Sequence, residues 1–181
     1  MSKVYTFKDL NLIAKELKTK KKAAIIETDT VMGIVSLNKD LIYKIKQRPL
    51  NKKLVTFVSD INDIKKLTKL EKVVLKQYWP GALTIIKNKI SYRIPNHKQT
   101  LELIKLTGPI YSSSANISNC DPVKDIKEAI KVFDKHQDKI IFVKGKNLTN
   151  QPSTIIDFDS YKILRQGKVN GKELLKKLWK K

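Results

Sequence analysis

Leu83-Thr84-Ile85-Ile86-Lys87-Asn88-Lys89-Ile90-Ser91-Tyr92-Arg93-Ile94 decides the fold class. Leu83 to Ile86 and Ser91 to Ile94 read as strands, and the residues between them leave room for a tight turn and nothing longer. A parallel crossover needs a dozen or more residues, so this pair has to run antiparallel. Thr154 to Phe158 and Lys162 to Leu164 repeat the arrangement further on. Other apolar runs of strand length are Ala23 to Glu27, Leu54 to Val58, Ile110 to Ser112 and Ile140 to Val143. Leu10, Ile13, Ala14 and Leu17 fall at helical spacing behind a capping-box pattern at Thr6 and Asp9. Further helices are predicted over Asp40 to Gln47, Asp63 to Leu67, Lys69 to Tyr78, Thr100 to Leu106, Val123 to Phe133 and Lys172 to Trp179. The expectation is an α/β protein with a mixed sheet and flanking helices, one domain over residues 1–181.

A chain of 181 residues can bury a substantial core without a disulfide or structural metal. The single Cys120 cannot form an internal disulfide, and no CxxC or Cys/His cluster suggests zinc. Such cysteine usage fits a reducing cytoplasm. Met1 to Lys20 is polar and punctuated by charges, unlike a signal peptide, and no later apolar run approaches membrane-spanning length, so no membrane association is expected. Net charge is +21, from 38 basic against 17 acidic side chains, which attracts polyanions. The lysines nevertheless dot the whole chain, and the few aromatic residues do not interleave with them in a base-stacking pattern. A generally basic, solvated surface therefore outweighs a dedicated nucleic-acid platform.

Against that background of lysine the chain carries three arginines, each in a proline- or glycine-marked segment. They are Arg48 in Lys46-Gln47-Arg48-Pro49, Arg93 in Tyr92-Arg93-Ile94-Pro95, and Arg165 in Leu164-Arg165-Gln166-Gly167. A guanidinium matches carboxylate or phosphate through two bonds at once, which an ammonium cannot do. Lys46 and Arg48 near a helix end would reach one polyanionic group from different sides, or simply complement the helix dipole. Glu27-Thr28-Asp29-Thr30-Val31-Met32-Gly33 follows a buried strand, where open α/β sheets bind ligands, although such a turn also satisfies its own backbone. Ser112-Ser113-Ser114-Ala115-Asn116-Ile117-Ser118 offers uncharged directional donors at another strand end, in a loop type that is also common as a plain connection. Pro80-Gly81-Ala82-Leu83-Thr84 and Pro152-Ser153-Thr154 are smaller pieces of the same kind.

Several sites are excluded. There is no GxxxxGK[ST], GxGxxG or GxSxG, and the serine run lacks a histidine partner. His97 and His136 lie in polar, lysine-containing stretches and read as solvated. Cys120 beside Asp121 gains no help toward a thiolate and reads as inert.

In order, T-D-T-V-x-G, K-x-R-P, P-G-x-L-T, R-I-P, S-S-A-N-x-S, P-S-T and L-R-Q-G resemble the YrdC/TsaC family of threonylcarbamoyl-AMP synthases, from about Ala23 to Gly167. The resemblance implies a twisted open sheet with a basic concave surface. It implies synthesis of threonylcarbamoyl-AMP and pyrophosphate from L-threonine, bicarbonate and ATP, with Mg²⁺ carried by the ATP and no metal ligand from the protein. A tRNA-threonylcarbamoyl transferase complex would then pass the group to an adenosine in tRNA. The family's Lys-Arg-Ser-Asn set falls on Lys46, Arg48, Ser114 and Asn116. Thr28, Thr30 and Arg93 match threonine-binding positions, and Thr84, Ser153 and Arg165 match positions of the nucleotide pocket.

The chemistry agrees with that resemblance, because a carbamate anion must approach an anionic phosphate and needs fixed cations and donors around both. The sequence departs from the family pattern at Glu27, usually proline, at Met32, usually tyrosine, and at Asn119, usually glycine; the glycine expected soon after Gly33 is missing. The longer family type has a further C-terminal domain, and none is expected after Gly167. The competing readings are a non-catalytic RNA-binding protein of the same fold, holding tRNA or other RNA on its basic surface, and a carbamoyl-adenylate enzyme using carbamoyl phosphate.

Overall fold

A computed structural model of the chain describes residues 4–145 and 151–179. The strands are β1 (Val4–Thr6), β2 (Ala23–Ile26), β3 (Gly33–Ser36), β4 (Val55–Phe57), β5 (Leu83–Lys87), β6 (Ile90–Arg93), β7 (Ile110–Ser114), β8 (Ile140–Lys144), β9 (Thr154–Asp157) and β10 (Lys162–Arg165). All ten join one open, twisted sheet in the order β1-β8-β2-β3-β7-β4-β6-β5-β9-β10. The β5–β6 hairpin closes through Asn88 and Lys89, both left-handed at φ 50° and 64°, which matches the twist of the strands they join. β9 and β10 also pair antiparallel, while β5 pairs parallel with β9 and β4 with β6, so the sheet is mixed.

The helices are α1 (Leu10–Thr19), α2 (Lys39–Lys46), α3 (Lys69–Leu75), α4 (Lys98–Thr107), α5 (Ile126–Val132) and α6 (Gly171–Trp179). Their starts follow from side-chain caps. The Thr6–Asp9 capping box leads into α1, Asn38 accepts from the first turn of α2, and a Thr68–Glu71 box opens α3. Among the described residues, no helix is long and apolar enough to cross a membrane.

Pairing register sorts side chains onto two faces, because residues directly opposite on neighbouring strands project the same way. On the first face Ala24, Ile26, Val35 and Phe57 pack under Ile13 and Leu17 of α1 and Leu103 and Ile104 of α4. The row beginning at Val35 runs on through Ser112, Val55, Ser91, Ile86 and Asp157, beyond those helices. On the second face α2 and α5 bury Ile25, Ile34 and Phe142, and α3 and α6 bury Ile85 and Ile156. The first face thus has an uncovered half, and the candidate site lies there.

The structure differs from the sequence expectation in five places. β1 and β3 were not foreseen; β3 is four residues long and buried on both faces, so it shows no alternation. Asp63 to Leu67 is not a helix. A short 3₁₀ turn at Ile61–Asp63, held by Asp60, gives way to Lys66 at φ 65°, which a helix cannot accommodate. The helix expected from Val123 starts at Ile126 because Asp125 caps it, accepting from Glu128 N. His97 is buried rather than solvated: it caps α4, its Nδ1 accepting from Thr100 N at 3.3 Å.

Candidate active site

The uncovered half of the first face forms a cavity of about 770 Å³, within the range of small-molecule sites. All three arginines of the chain line it, although 45 and 72 residues separate them in sequence. Each is held along one edge by backbone oxygen. Arg48 donates from Nε to Lys52 O (2.8 Å) and from Nη2 to Lys53 O (2.9 Å). Arg165 donates from Nε and Nη2 to Ser153 O at 3.0 and 2.8 Å, and from Nη2 to Ser153 Oγ at 3.1 Å. In both, Nη1 makes no hydrogen bond among the described residues, so a pre-positioned donor pair remains for an anion.

Arg93 sits deeper. Its Nε donates to Gly81 O (3.0 Å), Nη1 to Thr30 Oγ1 (3.1 Å) and Nη2 to Asp29 Oδ1 (2.5 Å), with the Phe57 ring 5.8 Å from its guanidinium carbon. Burial pushes its pKa down and the Asp29 carboxylate pushes it back up. These bonds use three of five N–H groups and leave two for a ligand.

The loop between β2 and β3 supplies Thr28 and Thr30. Thr28 Oγ1 donates to Val31 O (2.8 Å), accepts from Thr30 N (3.2 Å) and lies 3.1 Å from Thr30 Oγ1. The turn therefore satisfies its own backbone and lines the cavity as well. Across the cavity Thr84 Oγ1 and Ser153 Oγ share a 2.9 Å hydrogen bond that ties β5 to the start of β9. Gly167 has to be glycine, since a Cβ there would stand 2.3 Å from Pro152 O.

Lys46 and Asn116 do not line the cavity; they lie behind Ser114, which does. Lys46 is fully buried, and its Nζ donates to Ser114 O (2.6 Å), Asn116 O (2.6 Å) and Asn116 Oδ1 (3.1 Å). Asn116 Oδ1 also accepts from Ser114 Oγ at 2.5 Å, while Nδ2 donates to Ile117 O and Cys120 O. Lys46 therefore has no N–H left for a phosphate, contrary to the expectation of direct neutralisation. Removal from water, with Arg48 as a lesser cause, pushes its ammonium down to about 7.

Of the ten residues singled out from sequence, Thr28, Thr30, Arg48, Thr84, Arg93, Ser114, Ser153 and Arg165 line one cavity, and Lys46 with Asn116 backs it. Met32 is buried in the core beneath α2, away from the cavity, while Glu27 is buried near His97. Asn119 adopts the left-handed conformation that its replacement of glycine requires, at φ 70°. Sequence reasoning missed Lys53, Lys89, Asp157 and Asp159, which also line the cavity. Among 35 lysines, two carry no mark of their own. Among the described residues, no group of three or more His, Cys, Asp or Glu side chains is arranged to hold a metal.

The Sua5/YciO/YrdC family model, described as "Telomere recombination", matches residues 17–167. The chain belongs to this family. Protein MG259 of Mycoplasma genitalium is 40% identical over 106 residues, covering 59% of this chain and 23% of its own length. The chain thus spans under a quarter of that relative. A Methanocaldococcus jannaschii member, provisionally named threonylcarbamoyl-AMP synthase, is 34% identical and covers 87% of this chain and 84% of itself. Among solved structures, P. abyssi Sua5 complexed with L-threonine superposes with a TM-score of 0.84 at 22% identity, over 98% of this chain and 61% of that one. The Sua5/YciO/YrdC fold is therefore shared throughout the sheet that carries the cavity.

Proposed function

We propose that the chain makes threonylcarbamoyl-AMP and pyrophosphate from L-threonine, bicarbonate and ATP. The observation that carries this reading is the convergence of all three arginines with the Thr28–Thr30 and Thr84–Ser153 hydroxyl pairs on one cavity. Threonine and bicarbonate condense to a carbamate on the amino nitrogen, with loss of water. A carbamate oxygen then bonds to the α-phosphorus, the bond from that phosphorus to the β-phosphate bridging oxygen breaks, and pyrophosphate leaves with the electron pair.

Arg93, beside Thr28 and Thr30, holds the threonine carboxylate with its two remaining N–H groups. Arg48 and Arg165 offset the charge that builds on the phosphates, and Ser114, Thr84 and Ser153 direct the nucleotide. Lys46 and Asn116 act as positioning residues by fixing Ser114 from behind. No covalent nucleophile is required. Mg²⁺ would enter on the phosphates of ATP and help neutralise the charge of the departing pyrophosphate. The product would pass in the cytoplasm to a tRNA-threonylcarbamoyl transferase complex.

Mass spectrometry of the product formed from ¹³C-bicarbonate tests the reading. A threonylcarbamoyl adenylate carrying the label is expected. An adenylate without label, or carbamoyl adenylate formed from carbamoyl phosphate with bicarbonate and threonine left out, would overturn it.

A further inference from the structure

The middle row of the uncovered sheet face carries a hydroxyl with nothing to bind. Ser91 of β6 stands in the row Ser112–Val55–Ser91–Ile86 and lines the arginine-bearing cavity. It is 7% exposed, and its Oγ makes no hydrogen bond among the described residues. Such a hydroxyl is costly to keep from water unless a ligand meets it. Two residues before Val55 and Ser91, in their parallel strands, come Lys53 and Lys89; two residues after Ser112 in β7, which runs the other way, comes Ser114. Positions two apart on an extended chain project to one side, and all three line the same cavity.

Lys89 is pinned at both ends of its backbone. In the left-handed turn of the β5–β6 hairpin, at φ 64°, its N–H donates to Asp159 Oδ2 at 3.2 Å and its carbonyl accepts from Lys53 Nζ at 2.9 Å. The Lys89 ammonium makes no hydrogen bond among the described residues, and Lys53 Nζ keeps two N–H groups. Arg48 donates to Lys53 O, which brings its own unused Nη1 to the same end of the cavity. Of the carboxylates at that end, Asp157 accepts from Asp159 N and Ser160 Oγ at 2.8 and 2.9 Å, and Asp159 braces Lys89. They fasten the two turns and form no ion pair with Arg48, Lys53 or Lys89 among the described residues. Three cations and a buried hydroxyl are thus gathered without a paired anion.

We propose that Lys53, Lys89 and Ser91 form a diphosphate subsite, which takes the β- and γ-phosphates of ATP and makes the cavity selective for a nucleoside triphosphate. Lys53 and Lys89 lead into adjacent strands roughly 4.8 Å apart, so their ammoniums meet neighbouring phosphates of one chain while the Ser91 hydroxyl donates to an oxygen between them. A lone carboxylate or bicarbonate carries too little charge to match three cations, whereas linked phosphates present theirs in a row. Ser114 and Arg48, assigned above to the nucleotide, border the subsite. The inference rests on the reading of the cavity given above and adds what sets nucleotide choice: the length of the phosphate tail.

Calorimetric titration with an ATP analogue whose α–β bridge is a methylene group, and with ADP, AMP and inorganic pyrophosphate, tests the proposal. The wild-type protein is expected to bind the analogue about tenfold tighter than AMP, with ADP in between. Lys89→Gln, at an exposed turn position whose backbone bonds remain, weakens the analogue and pyrophosphate about fivefold, and Ser91→Ala does likewise; AMP binding is unchanged in both. Lys89→Arg restores the affinity. Lys127→Gln, an equal loss of charge at an exposed position on α5, changes none of these. Unchanged affinity for the analogue in both Lys89→Gln and Ser91→Ala, an equal loss of AMP binding, or the same weakening in Lys127→Gln would each overturn the subsite and leave the rest of the cavity as read. Wild-type protein that binds neither the analogue nor AMP would overturn the cavity reading and the subsite together.

Discussion

Arg93 and Lys46 are both cations taken out of water, with 5% and 0% of their surfaces exposed, yet they are held by opposite chemistry. Arg93 has a carboxylate at 2.5 Å, and its charge is met in kind. Lys46 is met by two carbonyls and an amide oxygen, and the charged group nearest in effect is another cation, Arg48. The paired guanidinium stays charged and keeps two N–H groups facing the cavity. The unpaired ammonium spends every donor on two backbone carbonyls and the Asn116 amide oxygen, and titrates near neutrality. A buried cation that serves a ligand must retain spare donors; one with none serves the fold of the loop beside it.

Removing Arg93 should have the largest effect. Arg93→Ala takes away the cation that faces Asp29 at 2.5 Å and empties a largely dry position, and a loss of about 3–5 kcal/mol is expected in urea unfolding. Adding Asp29→Asn in that background should recover most of the loss. A midpoint shift no larger than that of a surface substitution would break the comparison.

Next comes Arg48→Ala. Its side chain is half-buried and bonded to two loop carbonyls, so the fold should survive while pyrophosphate release falls by about 3 kcal/mol of transition-state stabilisation, some two orders of magnitude. Wild-type turnover would remove Arg48 from the chemistry.

Lys46→Met should be milder. It removes the Lys46 N–H groups from Ser114 O and both oxygens of Asn116, of which Oδ1 keeps its bond from Ser114 Oγ, at a cost of about 1–3 kcal/mol, with turnover falling through a displaced Ser114. Its pH dependence sharpens the contrast with Arg93. The folded protein releases the Lys46 proton as pH passes about 7, whereas the unfolded chain keeps it to about 10.4. Across that window the unfolded state binds more protons, so wild-type stability relative to Lys46→Met should rise with pH. The slope is at most about 1.4 kcal/mol per unit, and flat below pH 7. A fall over pH 7.5–9.5 in paired unfolding titrations would contradict the assignment.

Arg165→Lys is the smallest change expected. An ammonium keeps the charge but loses the fork on Ser153, worth about 1 kcal/mol, or about a fivefold rise in the KM for ATP. An unchanged KM would show that charge alone suffices there.

Sequence reading reached the strand pairs because their linkers are too short for crossovers, and it reached eight cavity residues because arginine, proline, glycine and hydroxyl clusters stand out against a lysine background. It could not place Lys46, whose partners are chiefly backbone carbonyls and so leave no trace in residue identity. It missed β3 because Gly-Ile-Val-Ser is buried on both faces, and His97 because a helix cap and a solvated histidine share the same polar neighbours. Tyr92 and Tyr111 come to one face through the register of β4 with its two neighbours, which no linear pattern shows.

The most direct test of a single cavity that holds ATP against a small amino acid is pyrophosphate release by the wild-type protein, measured with L-threonine and bicarbonate added separately and together. Release that requires both is the expected result. Release that proceeds at the same rate without threonine would contradict the shared cavity.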